Sequence, residues 1–515
     1  MIGTNVRRLA LYLALSFAIV SGGLTWWQVI DAQTLAARPD NPEVIAALRT
    51  RPRGSIFDAR GRLLASTRLV AGLSRRSYAD PAFAHLLGYA SLRFGTTGLE
   101  HAWDDMLNGQ TDPNPLNDLV NDILARKPVP RDLTLTVDQR LQDFAAAQLG
   151  ADAGAVVALD PRTGAILAMT SMPSFDATTI SGNAAAAGEA MARIQDQAGH
   201  PLVDRARQGH YTPGSIMKIV TASAALDSGA ITPETTFPDQ PRQETEGFVV
   251  QGFRVLEHDL SPVQPALWPL SEALQVSSNI FFAHVGLATG ADKYLEYARR
   301  FGFCAPLQIG PSPRFLSVAT SFVTAEQDGT CAAFSDRAEL AQAAFGQARV
   351  AVTPVQMALV AATIANDGVM PKPYVVRDVR AHVNRPASGP SDQVLDTFDP
   401  ALGSRVVSSR TAAEVRSAMV DAVQAPLGRL YAGAGAVSNY GISGVSTAGK
   451  TGTAELGPNT PPHSWFIGFA PAQDGASPAI AVAVIVESGG SGSGRAAPIG
   501  GAVMAEWLRL QQRGG

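Results

Sequence analysis

The 515-residue chain carries 41 basic and 45 acidic residues, a net charge of -4, and is 46% hydrophobic. That balance excludes a disordered polyelectrolyte, and with no dense basic run it predicts no nucleic-acid partner. The length exceeds one ordinary core and predicts two or three domains.

The N-terminus is the first informative element. Leu9 to Ile30, LALYLALSFAIVSGGLTWWQVI, is 22 residues without a charge. As a helix it spans about 33 Å, enough for a hydrocarbon core of about 30 Å. Arg7 and Arg8 precede it, which places residues 1–8 in the cytoplasm. Trp26 and Trp27 fall where an aromatic belt would lie on the far side. The run exceeds the apolar core of about 7–15 residues in a cleaved signal, so 9–30 reads as a retained single-pass anchor in the lipid bilayer of the cell membrane. Everything beyond residue 31 is then extracytoplasmic. That compartment permits a disulfide between Cys304 and Cys331, and two separate buried thiols are the alternative.

Residues 31–130 read as a polar connector followed by a small pedestal domain. SIFD and RLLAST in the 51–67 stretch are strand-like, with a turn between them. Residues 68 to about 125 read as short helices and loops. Pro-rich 126–132 marks a boundary, and 131–515 forms the main domain. There LTLTVD predicts a strand and QRLQDFAAAQLG an amphipathic helix. Val156–Leu159 and Ala165–Thr170 predict a hairpin around DPRTG. SWFIGFAPA and AIAVAVIVES predict a second strand pair, and the chain closes on a helix. Strands near both ends with helical patterns between them predict an α/β or α+β fold, with helices on the faces of one sheet. Residues 238–247 and 384–393 read as exposed loops, and 488–495 as a flexible Gly/Ser segment.

The chemistry concentrates in three places. Only five of the basic residues are lysines: Lys127, Lys218, Lys293, Lys372 and Lys450. In TPGSIMKIV, Pro213 and Gly214 mark a turn, and Ser215 and Lys218 stand at i and i+3 on one helix face. A serine hydroxyl needs an adjacent base to become a nucleophile. A lysine whose pKa is lowered from about 10.4 toward about 7–8 can be that base, and an arginine cannot. Alone, this pair also reads as a capping serine beside a solvated lysine. In QVSSNIF, Ser277 and Asn279 can line one side of a cleft. In STAGKTGTAE, Lys450 and Thr451 offer a cation and a hydroxyl to a carboxylate from a strand, and Gly452 lets a substrate backbone lie close.

The three motifs in this order resemble those of the penicillin-recognising serine transferases and hydrolases, for which Ser-x-x-Lys, Ser-Asp-Asn and Lys-Thr-Gly are general signatures. GAVVALDPRTGAILAMTSMPSFD, VTPVQMALVAATIANDG and HSWFIGFAP are similar to transpeptidase-domain segments of penicillin-binding proteins. RGSIFDARGRLLA is similar to the membrane-proximal segment of the monofunctional, class B members. The resemblance implies a mainly antiparallel sheet sandwiched by helices. It implies acyl transfer from peptidoglycan stem peptides to Ser215, with β-lactams acylating the same serine and no cofactor or metal. It implies Lys218 as base, Ser277 with Lys450 as proton relay, and Asn279 on the substrate amide. It further implies Lys450, Thr451, Gly452 and Thr453 on the carboxylate side, and the backbone N–H groups of Ser215 and Thr453 as oxyanion hole. Ser278 stands where some relatives carry Asp. A RodA/FtsW-type membrane glycan polymerase is the implied partner.

Other readings have weaker support. None of Glu296, Glu326, Glu339 and Glu414, the glutamates between the second and third motifs, has the downstream Asn of a deacylating β-lactamase. His210 has no matching acid for a Ser-His-Asp triad, and His463 reads as structural. A D,D-carboxypeptidase differs only in the acyl acceptor, and a non-catalytic scaffold would not need all three motifs intact. The residues leave the acceptor, and elongation against division, open.

Overall fold

The structure, a computed structural model, describes residues 2–31, 50, 52–70, 72–111, 129–258, 260, 263–383, 386–431, 437, 444–457 and 459–513. Most of the 31–50 connector and the start of the Pro-rich boundary, 126–128, lie outside the described residues.

The chain opens with the Ile2–Thr25 helix, continued by a wider turn over Trp26–Ile30. Asn5–Gln28 is apolar enough to cross a membrane and buries none of its length against the rest of the protein. The apolar helix is there as expected, and it begins several residues before Leu9.

The SIFD and RLLAST runs are strands. Ile56–Phe57 pairs antiparallel with Leu63–Val70, which pairs with Leu73–Tyr78. The last strand corrects the expectation of only helices and loops after residue 68. Arg131–Leu135 adds parallel to Ile56–Phe57, and Val376–Ala381 and Val394–Thr397 complete a six-stranded sheet. One sheet therefore joins the N-terminal region to strands more than 200 residues downstream. Beneath it lies a buried charge cluster. Arg53 and Arg76 both bond Glu100, which is fully enclosed, and Arg53 also reaches Asp104. Burial opposes ionisation of Glu100, and the two guanidinium groups outweigh it and hold its pKa down.

The second sheet carries the site. Its strand order is Ala448–Ala454, His463–Ala470, Ile480–Val486, Gly154–Leu159, Ile166–Met172, and every pairing is antiparallel. Both expected strand pairs are present. Every residue of Gly154–Leu159 and Ile480–Val486 is buried, because both faces are covered. Alternation decides which side chain goes where. Val156, Ala158, Val482 and Val484 pack with Leu141 and Ala145 of the Gln139–Leu149 helix and Ile499 and Val503 of the Ala496–Gln512 helix. Ala155, Val157, Ala483 and Ile485 face the other way, with Val355 and Leu359 of the Pro354–Ala365 helix. Each such aliphatic side chain contributes about 1.5–3 kcal/mol when buried. The expected mixed fold, a mainly antiparallel sheet between helix layers, is what forms.

Two further differences follow from packing, and the structure also decides between the two alternatives for the cysteines. The 238–247 stretch is not all loop: Gln240–Glu246 is a helix with Pro241 in its first turn. Cys304 and Cys331 are bonded to each other, 27 residues apart. Gly492, in the Gly/Ser stretch, is tightly packed, since a Cβ there would stand 2.6 Å from the carbonyl oxygens of Gly452 and Trp465.

Candidate active site

Gly214–Met217 is a short 3-10 turn that passes into the Lys218–Asp227 helix. Gly214 has φ +58, a conformation costly for other residues, and a Cβ there would stand 2.7 Å from Thr453 O. On the facing strand, a Cβ on Gly452 would lie 2.7 Å from Pro213 O, with Ile216 and Trp465 beside it. The two glycines let the serine turn lie directly on the edge strand Ala448–Ala454. Trp465 Nε1 donates to Thr212 O at 3.0 Å and fixes the same approach. Gly452 thus has a second reason to lack a side chain: Pro213, Ile216 and Trp465 occupy the space a Cβ would take.

That contact brings the three motifs together. Lys218 Nζ is 3.0 Å from Ser215 Oγ, 2.9 Å from Asn279 Oδ1, 2.5 Å from Ser277 O and 3.2 Å from Ser277 Oγ. Asn279 Nδ2 donates to Leu256 O at 3.3 Å, which orients Oδ1 toward the lysine. The Ser277 carbonyl and Asn279 Oδ1 can only accept, so they take both N–H bonds of a neutral amine. The lone pair is left for a hydroxyl proton, and Ser215 Oγ–H is at hand. Burial lowers the Lys218 pKa to about 7, against a partial opposing pull from Glu257.

Lys450 is also fully buried and donates to Ser277 Oγ at 2.9 Å and Thr451 O at 3.2 Å. Burial first, and the neighbouring Lys218 charge second, lower its pKa well below the ordinary lysine value. One serine hydroxyl thus lies between two amines. Ser277 has φ +58, a left-handed backbone that costs a non-glycine residue on the order of 1–3 kcal/mol and is characteristic of functional sites. Ser215 is half-buried, Thr453 exposed and Thr451 buried. Gly492 N donates to Thr453 Oγ1 at 3.3 Å.

The two histidines weighed and set aside in the sequence have partners of their own. His210 Nε2 meets Thr320 O at 2.9 Å. His463 Nδ1 accepts from Ser488 N at 3.1 Å and stacks edge-on with Tyr211, in keeping with a structural part. No group of three metal-ligating side chains occurs among the described residues.

Two roles escape the motif reading, one at Ser278 and one at Glu257. Ser278 caps the Asn279–Thr289 helix, its Oγ accepting from Phe281 N at 3.0 Å. The same hydroxyl donates to Glu257 Oε2 at 2.7 Å. Glu257 is buried at the back of the site, and nothing in the spacing of FRVLEHD marks it.

Comparison with known proteins decides the family. Residues 154–505 match the penicillin binding protein transpeptidase domain, and residues 53–131 match the penicillin binding protein A dimerisation domain. The chain belongs to the penicillin-binding transpeptidases, in the class B group. It is 37% identical to the peptidoglycan D,D-transpeptidase PbpA of Mycolicibacterium smegmatis, covering 98% of this chain and 99% of the relative. PbpA of Mycobacterium tuberculosis is 35% identical over the same shares. A ceftriaxone acyl-enzyme structure of penicillin-binding protein A from M. tuberculosis superposes with TM-score 0.75 at 34% identity, covering 89% of this chain and 99% of that one.

Proposed function

We propose that this penicillin-binding transpeptidase cross-links peptidoglycan through an acyl-enzyme on Ser215. Lys218 takes the Ser215 proton as the hydroxyl attacks the penultimate D-Ala carbonyl of a stem peptide. The Ser–O–C bond forms and the C–N bond to the terminal D-Ala breaks. Ser277, bridging Lys218 and Lys450, returns a proton to the leaving amine. Asn279 holds the substrate amide. The terminal carboxylate lies toward Lys450, Thr451 and Thr453 at the strand edge. The backbone N–H groups of Ser215 and Thr453 receive the oxyanion, each such donor being worth about 2.7–4 kcal/mol in the transition state. An amine of a neighbouring strand's peptide then displaces Ser215 and restores its proton. A β-lactam follows the first half of this sequence and stops at the acyl-enzyme.

The observation that carries the reading is the Lys218 environment. Two obligate acceptors, Ser277 O and Asn279 Oδ1, take its N–H bonds, and Ser215 Oγ stands 3.0 Å from the same nitrogen. Residues 9–30 anchor the protein in the membrane with residues 1–8 cytoplasmic, 31–130 form the pedestal and 131–515 the catalytic domain. The anchor and pedestal dock a RodA/FtsW-type glycan polymerase. The test is labelling of purified protein by a fluorescent penicillin. Wild type labels covalently and Ser215→Ala does not. Labelling that survives Ser215→Ala would overturn the assignment.

A further inference from the structure

The carboxylate of Glu257 is almost wholly enclosed, its side chain only 2% exposed. Such a group is costly unless its lone pairs are filled. Here they are. Oε1 accepts from Asn279 N at 2.9 Å, and Oε2 accepts from Ser278 Oγ at 2.7 Å and Ile280 N at 3.2 Å. His258 N and Nδ1 lie 3.2 and 3.1 Å from Oε1. Two of these donors are the first N–H groups of the Asn279–Thr289 helix, where a negative charge is favoured. Glu257 therefore grips the loop that carries Ser277 and Asn279, the two residues that also contact Lys218.

Charge balance in the site points the same way. Lys218 and Lys450 approach one Ser277 hydroxyl at 3.2 and 2.9 Å. Two ammonium groups so close and so deeply buried repel strongly, which disfavours both being charged at once. One ammonium and the Glu257 carboxylate make the buried cluster neutral. The other titratable groups that face it are His258, beside Glu257 in the chain, and Glu244 on the Gln240–Glu246 helix.

We propose that Glu257 is the fixed countercharge of the catalytic lysine pair: a positioning residue that clamps the 277–279 loop and sets the pH at which Lys218 becomes free to activate Ser215. It touches no reacting atom. Its influence on Lys218 is an attraction that favours the charged amine, opposite in sign to burial. Glu257 thereby keeps a deeply buried lysine basic enough to take a serine proton.

The inference rests on the acyl-enzyme reading, and labelling of the wild type tests that reading separately. The experiment is the second-order acylation rate of the full chain in detergent by a fluorescent penicillin, measured between about pH 5 and 9. In Glu257→Gln the acid limb moves to lower pH by about one unit or more, because the lost attraction lets Lys218 release its proton sooner. The plateau rate falls about tenfold or more, because an amide N–H₂ meets the helix N–H groups. Glu257→Asp keeps the charge but retracts it, so its limb moves in the same direction by less. A purely structural residue would lower the plateau and the melting temperature and leave the limb in place. An unmoved limb in folded Glu257→Gln overturns the proposal. If that variant does not fold, Glu257→Asp decides it: a limb shifted to lower pH supports the countercharge, and an unmoved limb rejects it.

Discussion

Lys218 shows how much one side chain's setting can carry. It is one of five lysines in a chain with 41 basic residues, and it is wholly buried. Burial brings its pKa to about 7. With the neutral amine as the proposed base, penicillin acylation should be at plateau above that pH and fall about tenfold per pH unit below it. A pH–rate profile checks this, and a rate flat down to pH 5 would contradict it. Lys218→Arg keeps a cation of similar reach but cannot give up its proton near neutrality. It should lose about 10²–10⁴ in acylation rate at every pH, measured against the wild type. The i,i+3 spacing made the serine and lysine neighbours on one helix face, and only the two further motifs downstream singled the pair out from a capping serine beside a solvated lysine. Glu257 was not legible. It lies 21 residues from Ser278, across a segment with no periodic pattern.

Among elements, the decisive contact is the serine turn on the edge strand. Both Gly214 and Gly452 are needed, since a Cβ on either would come within 2.7 Å of the other segment's backbone. Gly452→Ala should therefore shift the strand from Ser215 and reduce acylation more than it lowers thermal stability. Parallel measurement of labelling rate and melting temperature separates the two effects. In the N-terminal sheet, Glu100 is fully buried between Arg53 and Arg76. Glu100→Ala leaves two guanidinium groups without their shared carboxylate and should cost on the order of 3–5 kcal/mol, read by denaturant melting. The strands of the second sheet were readable from β-type runs and turn residues, whereas Leu73–Tyr78 of the first was not. The helix at Gln240–Glu246 was not, because PDQPRQETEG has the proline and charge content of a loop. Pro241 is nonetheless tolerated in a first turn, where its missing N–H would be unpaired anyway.

At the scale of the whole molecule, the Cys304–Cys331 bond closes a loop of 27 residues in the catalytic domain. In the chain-entropy account that is about 3.5 kcal/mol of stability. Reduction should lower the melting temperature, while penicillin labelling of protein kept below that temperature persists. Loss of labelling at once on reduction would instead tie the bond to the site. The apolar first helix, the three motifs in order and the β-type runs of the second sheet were determined by the sequence, because each is a local pattern of charge, spacing or composition. What only the tertiary structure decided are meetings between distant segments. Lys450 reaches Ser277 across 173 residues, the six-stranded sheet joins strands from both ends of a long interval, and Glu257 closes on the 278–280 backbone. The physical reason is that periodicity reports which face of an element is apolar, but not which distant element will cover it. That choice falls to packing and to the need of every buried charge and hydrogen-bonding group for a partner.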